Sequence, residues 1–281
     1  MIGYEKKGAK HMFIYKYYRP NSYSFDSVRN CQICFNYMGN FSDKNEGRFW
    51  IKSNEQDTES LGDSLMERAE TLLADRVSED YTNVIRLKFR VFSATDSMRY
   101  RYMWDEYAEK GTGFCVAYDD ADLEACSSDF RSICYQECKE PDGLFKNSGF
   151  SVEELKEKVY TLLFTKFTEP GIENGKKVFY KKEHEIRYLK ILADGEIENI
   201  TGAVYINEAF SEKTKKFAYH YDPITKKCYK AVKLFFAIAK AKKIFAGVNM
   251  SDENLKEIAT ISKNLSIPLV LIKDEDLVDE Q

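Results

Sequence analysis

Hydrophobic and polar positions along this chain follow two periods, and each change of period marks an element. Residues 13–19 (Phe-Ile-Tyr-Lys-Tyr-Tyr-Arg) are rich in β-formers and run into Pro20, which predicts a first strand. Residues 21–30 predict a turn and a short helix, Cys31 to Asn36 a second strand, and the Gly-, Asn- and Asp-rich residues 37–47 a loop. From Asp57 to Glu79, Leu61, Leu65, Ala69, Leu72, Leu73 and Val77 recur every three or four residues, the spacing of an amphipathic helix. A strand follows over Asn83 to Ser93, then a short helix over Met98 to Lys110 carrying Trp104, then a strand over Gly113 to Asp119.

The second half reads the same way. Ser151, with Glu154 three residues on, predicts the capped start of a helix reaching Lys166. A polar loop, Thr168 to Lys177, leads to a charged strand over Val178 to Ile191. A helix is expected near Tyr229–Ala241, a strand over Lys243 to Val248, a helix over Asp252 to Asn264 capped by Ser251, and a closing strand over Ile267 to Ile272. Strands dominate the middle with helices between them, so the expected class is α+β with a mixed or antiparallel β core flanked by helices. No composition break divides the chain. One domain over residues 13–273 is expected, with 1–12 and 274–281 as flexible tails.

The charged strand is the least ordinary element. Side chains alternate across a strand, so Glu183, Glu185 and Arg187 share a face. Two like charges on one face repel, and burying them unpaired is costly. Such a pair belongs at a solvated edge, with Arg187 pairing one glutamate, or in the lining of a site.

Composition narrows the class. The 281 residues are 43% hydrophobic and 31% charged, the profile of a globular chain and not of a disordered one. The longest apolar runs, such as Leu234 to Ala239, are too short to span a bilayer. The first dozen residues carry Glu5, Lys6, Lys7 and Lys10 without an apolar core, so no signal peptide is expected, Met12 is a candidate start, and the cytoplasm is the expected compartment. Seven cysteines without framework spacing fit reduced thiols. Cys31-x-x-Cys34 and Cys134-x-x-x-Cys138 resemble half-sites for zinc. Without turn glycines or a suitably spaced histidine, packing is the better reading, and no metal is expected.

Several blocks, in order, resemble a widespread uncharacterised bacterial family, the domain of unknown function 2971. They are Tyr15-Lys16-Tyr17, Phe41-Ser42-Asp43-x-x-Glu46, Phe92-Ser93, Met103-Trp104-x-x-Tyr107 with Gly113, Glu183-x-Glu185-x-Arg187, and Ala246-Gly247 opening a strand–helix–strand unit. Ser42 and Lys44 stand where the family usually has Asn and Pro. The order of basic-aromatic strand, Phe-Ser-Ala-Thr and Glu-x-Glu-Ile also resembles the arginine–serine–glutamate pattern of ADP-ribosyltransferases, and that resemblance implies their fold. It implies that Arg19, or Lys16, holds an NAD phosphate, that Ser93 with Thr95 supports the nicotinamide pocket, and that Tyr15, Tyr17 or Tyr18 stacks on the ring. Glu185 would bond the nicotinamide ribose and Glu183 would position or deprotonate the acceptor. Ser93-Ala94-Thr95 departs from the commoner Ser-Thr-Ser.

Physical chemistry gives those roles a reason. Breaking the glycosidic bond of NAD leaves positive charge on the ribose, and a preorganised carboxylate stabilises it. The leaving nicotinamide needs no proton, so one carboxylate suffices for that step. Each residue also has a plainer reading: Arg19 as a solvated strand end, Ser93 and Thr95 as caps of a helix starting near Asp96, Trp104 and Tyr107 as core.

Net charge is −4, which makes no global case for nucleic acid. Locally, residues 211–243 carry ten Lys against Glu212 and Asp222, among Phe217, Tyr219, His220, Tyr221 and Tyr229, and Arg99-Tyr-Arg-Tyr102 is a second basic-aromatic run. Cations attract phosphates and aromatic rings stack on unpaired bases, so single-stranded RNA is an expected acceptor. The resulting expectation is an NAD-dependent ADP-ribosyltransferase acting as an intracellular toxin or phage-defence effector, with a neutralising antitoxin or chaperone partner and no membrane association. The alternatives are a protein-targeting transferase, an NAD glycohydrolase, and a non-catalytic ligand-binding module.

Overall fold

A computed structural model describes residues 12–38, 41, 51–52, 89–136, 144–145, 163–167, 171–173, 176–192, 219–222, 227–230 and 234–279. The helices expected over 57–79 and over residues 151–162 lie outside the described residues, as does the loop over 42–47. The chain is mixed α+β, and its main sheet has nine strands: β1 (Phe13–Tyr18), β2 (Gln32–Tyr37), β3 (Phe89–Thr95), β4 (Phe114–Asp119), β5 (Asp129–Ser132), β6 (Glu185–Ile191), β7 (Phe235–Ile238), β8 (Ala241–Ala246) and β9 (Leu269–Leu271). Every pairing within it is antiparallel except β8 with β9.

The sheet forks at β3. Along one edge β6 pairs with β3 over its whole length, from Glu185 opposite Thr95 to Ile191 opposite Phe89. The other edge is shared. β1 meets it at Thr95, opposite Tyr15, while β2 meets it at Val91 and Arg90, opposite Asn36 and Tyr37. Residues 92–94 between these contacts have no strand partner on that side among the described residues. From the fork, one branch runs β1–β4–β8–β9 and the other β2–β7.

Side-chain alternation divides the core. Ile14, Phe92, Phe114, Val116, Tyr118 and Tyr188 pack on one face beneath α1 (Ser22–Arg29), where Phe25 and Val28 point inward. Asn21 caps α1 through its side chain. The opposite face carries α2 (Arg101–Tyr107), whose Met103 and Trp104 bury against Tyr17, Cys115, Ala117 and Phe245. The helix α3 (Asp120–Cys126) follows β4, and α4 (Asp252–Leu265) links β8 to β9 with Ser251 as its cap and buries Ile258 and Ile261 on the α1 side. Gly113, just before β4, sits where an added Cβ would lie 2.1 Å from the Tyr18 carbonyl oxygen, so only glycine lets the chain pass.

The helix expected near Tyr229–Ala241 is instead strand: Lys227–Lys230 pairs with Tyr219–Asp222, and β7 pairs with β2. In β7, Phe235 and Ala237 turn inward while Phe236 and Ile238 face out, which is strand periodicity. Short apolar runs do not separate the two readings by composition. The segment expected as a polar loop contains a small antiparallel ladder, Gly171–Glu173 with Lys176–Val178. Residues 163–167, expected as the helix end, include the strand Thr165–Phe167, parallel to Cys134–Gln136. Residues 274–279, expected within a flexible tail, form a turn and pair with α2's approach: Arg101 N–H donates to the Val278 carbonyl and Val278 N–H to that of Arg99.

Candidate functional site

The gap in the sheet becomes a pocket of about 180 Å³ on the α2 side. β1 contributes Tyr15, Lys16 and Tyr17; β2 contributes Cys34 and Asn36; β3 contributes Val91, Ser93 and Ala94. Met103 and Tyr107 of α2 line it together with Lys166, Tyr180, Glu183, Glu185 and Arg187. Where β1 and β3 diverge, the Lys16 ammonium substitutes for a strand neighbour. It donates to the Ser93 carbonyl oxygen at 2.5 Å and lies 5.2 Å from the centre of the Phe92 ring.

Glu183 is not in the charged strand. It ends a 3-10 turn, Tyr180–Glu183, and β6 begins at Glu185. His184 between them adopts the left-handed conformation, with φ 45°, and its ring stacks on Tyr100 at 4.3 Å between centroids. The two carboxylates are 4% exposed each, so a solvated edge is ruled out as the answer to their repulsion. The answer is pairing. Lys166 Nζ lies 2.8 Å from Glu183 Oε2 and 2.7 Å from Glu185 Oε2. Arg187 Nε donates to Glu185 Oε1 at 2.8 Å, its Nη2 to Oε2 at 3.2 Å, and its Nη1 to the Leu163 carbonyl at 2.7 Å. The Tyr107 hydroxyl donates to Glu183 Oε1.

These contacts separate the two acids. Burial acts to raise both. For Glu185, the Arg187 guanidinium and the Lys166 ammonium overcome it and hold the carboxyl well below the usual range. For Glu183, burial prevails with help from the Glu185 charge, and the group is raised although Lys166 opposes. Burial lowers the Lys16 ammonium and pushes the Cys34 thiol up to about 11, so Cys34 is a poor nucleophile. Three cations against two carboxylates favour an occupant carrying negative charge.

Of the residues expected at the site, the structure brings together Tyr15, Lys16, Tyr17, Ser93, Glu183 and Glu185. Arg19 is not among the lining residues: it lies beyond the end of β1, exposed, 3.9 Å from Glu109. Thr95 sits beside the pocket, not in its lining; its hydroxyl is buried without a hydrogen-bond partner among the described residues. Neither Ser93 nor Thr95 caps a helix, since both belong to β3 and the next helix begins at Arg101. Trp104 is core, with its indole N–H on the Met98 carbonyl, whereas Tyr107 of the same motif reaches the pocket. Lys166, Tyr180 and Asn36 were not legible as site residues. The signal for Lys166 was a lone cation flanked by Phe164 and Phe167. Among the described residues no group of His, Cys, Asp and Glu could hold a metal, and no helix is long and apolar enough to cross a membrane.

These features place the chain among α+β proteins with a charged, aromatic-walled pocket at a forked sheet. It belongs to the family described as Protein of unknown function (DUF2971), whose model matches residues 103–280. The matched stretch carries α2 from Met103 on, Lys166, both glutamates and Arg187, while β1 to β3 lie ahead of it. No curated protein and no solved structure matches the chain.

Proposed function

We propose that this pocket binds the nicotinamide half of NAD and that the protein is an NAD-dependent ADP-ribosyltransferase acting as a toxin or defence effector. The supporting observation is the meeting of three sequence-distant pieces, Tyr15 to Tyr17, Ser93 and the Glu183–Glu185 pair, around one buried pocket. A volume of about 180 Å³ is below the roughly 300–1,000 Å³ of pockets that enclose whole ligands, so it suits the ring and ribose, with the diphosphate toward the mouth. Tyr15 and Tyr17 of the lining would stack on the nicotinamide, and Lys16, the alternative to Arg19, would supply the cation for a phosphate. The glycosidic C–N bond breaks with its electron pair leaving on nicotinamide. Glu185, held ionised, faces the ribose cation that develops. The acceptor then bonds to the anomeric carbon and gives its proton to Glu183. We take the acceptor to be single-stranded RNA, on the basic and aromatic composition of residues 211–243, and a toxin of this kind calls for a neutralising partner protein.

Purified protein incubated with labelled NAD and RNA should release nicotinamide and label the RNA. Glu185→Gln should cut the rate by about 10²–10³-fold, the usual worth of one preorganised electrostatic contact. Absence of nicotinamide release, or release unchanged in the variant, refutes the proposal. Release without labelled RNA or protein would point to a glycohydrolase. One observation favours a second reading, a non-catalytic anion-binding module: both Glu185 oxygens already accept from Arg187 and Lys166. That reading predicts NAD binding without turnover.

A further inference from the structure

We infer that Lys166 is a positioning residue, a single ammonium clamped between Glu183 and Glu185 that lets two neighbouring carboxylates serve one pocket. This rests on the function proposed above only for what the pair acts upon; the clamp itself stands on geometry. Two carboxylates sharing a site cannot both ionise cheaply, and one normally keeps a proton. Here Glu183 and Glu185 sit either side of the left-handed His184, and the space between their Oε2 atoms is filled by Lys166 Nζ at 2.8 and 2.7 Å. The lysine comes from the strand Thr165–Phe167, which lies outside the main sheet and packs against the 3-10 turn that carries Glu183. Its ammonium lies over the Tyr180 ring, 5.0 Å from the ring centre.

The other groups around the pair divide between the two acids. Arg187 on β6 forks onto Glu185 alone, and Tyr107 on α2 donates to Glu183 alone. The Tyr135 hydroxyl accepts from the Glu185 backbone N–H, and Lys16 on β1 acts on both acids without an ion-pair contact to either among the described residues. Among the described residues, only Lys166 joins the two carboxylates. A compact ammonium on a flexible stem fits this double contact better than a planar guanidinium, whose donors are fixed in one fork.

The readout is proton uptake by the pair, followed in the full-length protein by infrared difference spectroscopy of the carboxylic-acid band as pH falls. Glu183→Gln and Glu185→Gln variants assign the signal. Removing the cation should leave two facing negative charges, so Lys166→Met is expected to take up its first proton at a pH at least one unit above wild type. Lys166→Arg, which restores the charge, should recover most of that shift. An unmoved band in Lys166→Met, or an equal shift in Lys166→Arg, overturns the assignment. Where Lys166→Met does not fold at neutral pH, adding Glu183→Gln should restore folding by removing the repulsion, and failure of that rescue overturns it as well. NAD turnover is measured alongside. If the band moves as expected and no form releases nicotinamide, the clamp holds and the transferase reading falls.

Discussion

Arg187→Met tests whether Glu185 is held by charge pairing in the buried wall. Arg187 is fully buried, forks onto Glu185 through two nitrogens and satisfies the Leu163 carbonyl with the third. Removing one member of a buried ion pair costs about 3–5 kcal/mol, because the remaining charge keeps its desolvation penalty. Lys166 still faces Glu185 in the variant, which places that loss near the lower end. The stranded carbonyl adds about 1 kcal/mol. A total of about 4 kcal/mol lowers Tm by roughly 8–16 °C, at about 2–4 °C per kcal/mol for chains near this size. Urea unfolding followed by circular dichroism at pH 7 measures it. Replacing both partners, Glu185→Leu with Arg187→Met, should lose at least about 2 kcal/mol less than the sum of the single changes. The pH dependence has a definite sign. Glu185 is depressed in the folded protein, so its stabilisation is present above the ordinary value of 4.5 and fades as pH falls through the lower folded value. The deficit of Arg187→Met should therefore shrink below about pH 4.5. A loss under about 1 kcal/mol, or additive single changes, would refute the reasoning.

Tyr107→Phe should cost about 1–2 kcal/mol at pH 7, since a buried carboxylate loses its hydroxyl donor; the deficit should narrow on acidification through the raised value of Glu183, and a pH-independent loss would count against the assignment. Gly113→Ala should cost at least about 3 kcal/mol in urea midpoint or abolish soluble expression, because its Cβ would meet the Tyr18 carbonyl at 2.1 Å, backbone that cannot swing aside. Deleting residues 274–281 removes the Val278 backbone pairing and the Asp274 and Asp279 contacts of Arg101, and with Trp50 replaced by Phe it should red-shift Trp104 emission. An unchanged spectrum would mean that α2 stands without that strap.

Much of this architecture was legible because it depends on local period. Ser251 announced its helix as a cap, and β1, β4 and β8 followed from runs of β-formers. The segment at Tyr229–Ala241 failed because Leu234 to Ala239 is apolar throughout, and only its partner β2 decides which side is inward. The charged strand was recognised as unusual, yet its resolution was not readable. Lys166 lies seventeen residues ahead of Glu183 on a strand whose place is set by Cys134–Gln136, a contact with no local signature. Arg19 lies outside the lining for a simpler reason: β1 ends at Tyr18, and the side chain after it is exposed.

The pocket exists because β3 cannot satisfy two partners on one edge. β1 takes Thr95, β2 takes Val91 and Arg90, and the strands must diverge between those contacts. Divergence leaves the Ser93 carbonyl facing a gap, and a buried carbonyl needs a donor. Lys16, whose backbone pairs with Val116 on the other edge of β1, supplies one through its ammonium, and so a cation is drawn into the sheet by a backbone requirement before any ligand is considered. That cation tips the local balance to three positive groups against two negative ones, in a pocket whose lining includes Tyr15, Tyr17, Tyr107 and Tyr180. Replacing Lys16 by Met should therefore do two things at once. It should lower stability by about 1–3 kcal/mol through the unsatisfied carbonyl, and it should weaken binding of a ligand that carries a phosphate by more than that of the same ligand without it. Calorimetry with nicotinamide mononucleotide against nicotinamide riboside separates the two effects, and equal weakening of both ligands would show that Lys16 serves the sheet alone.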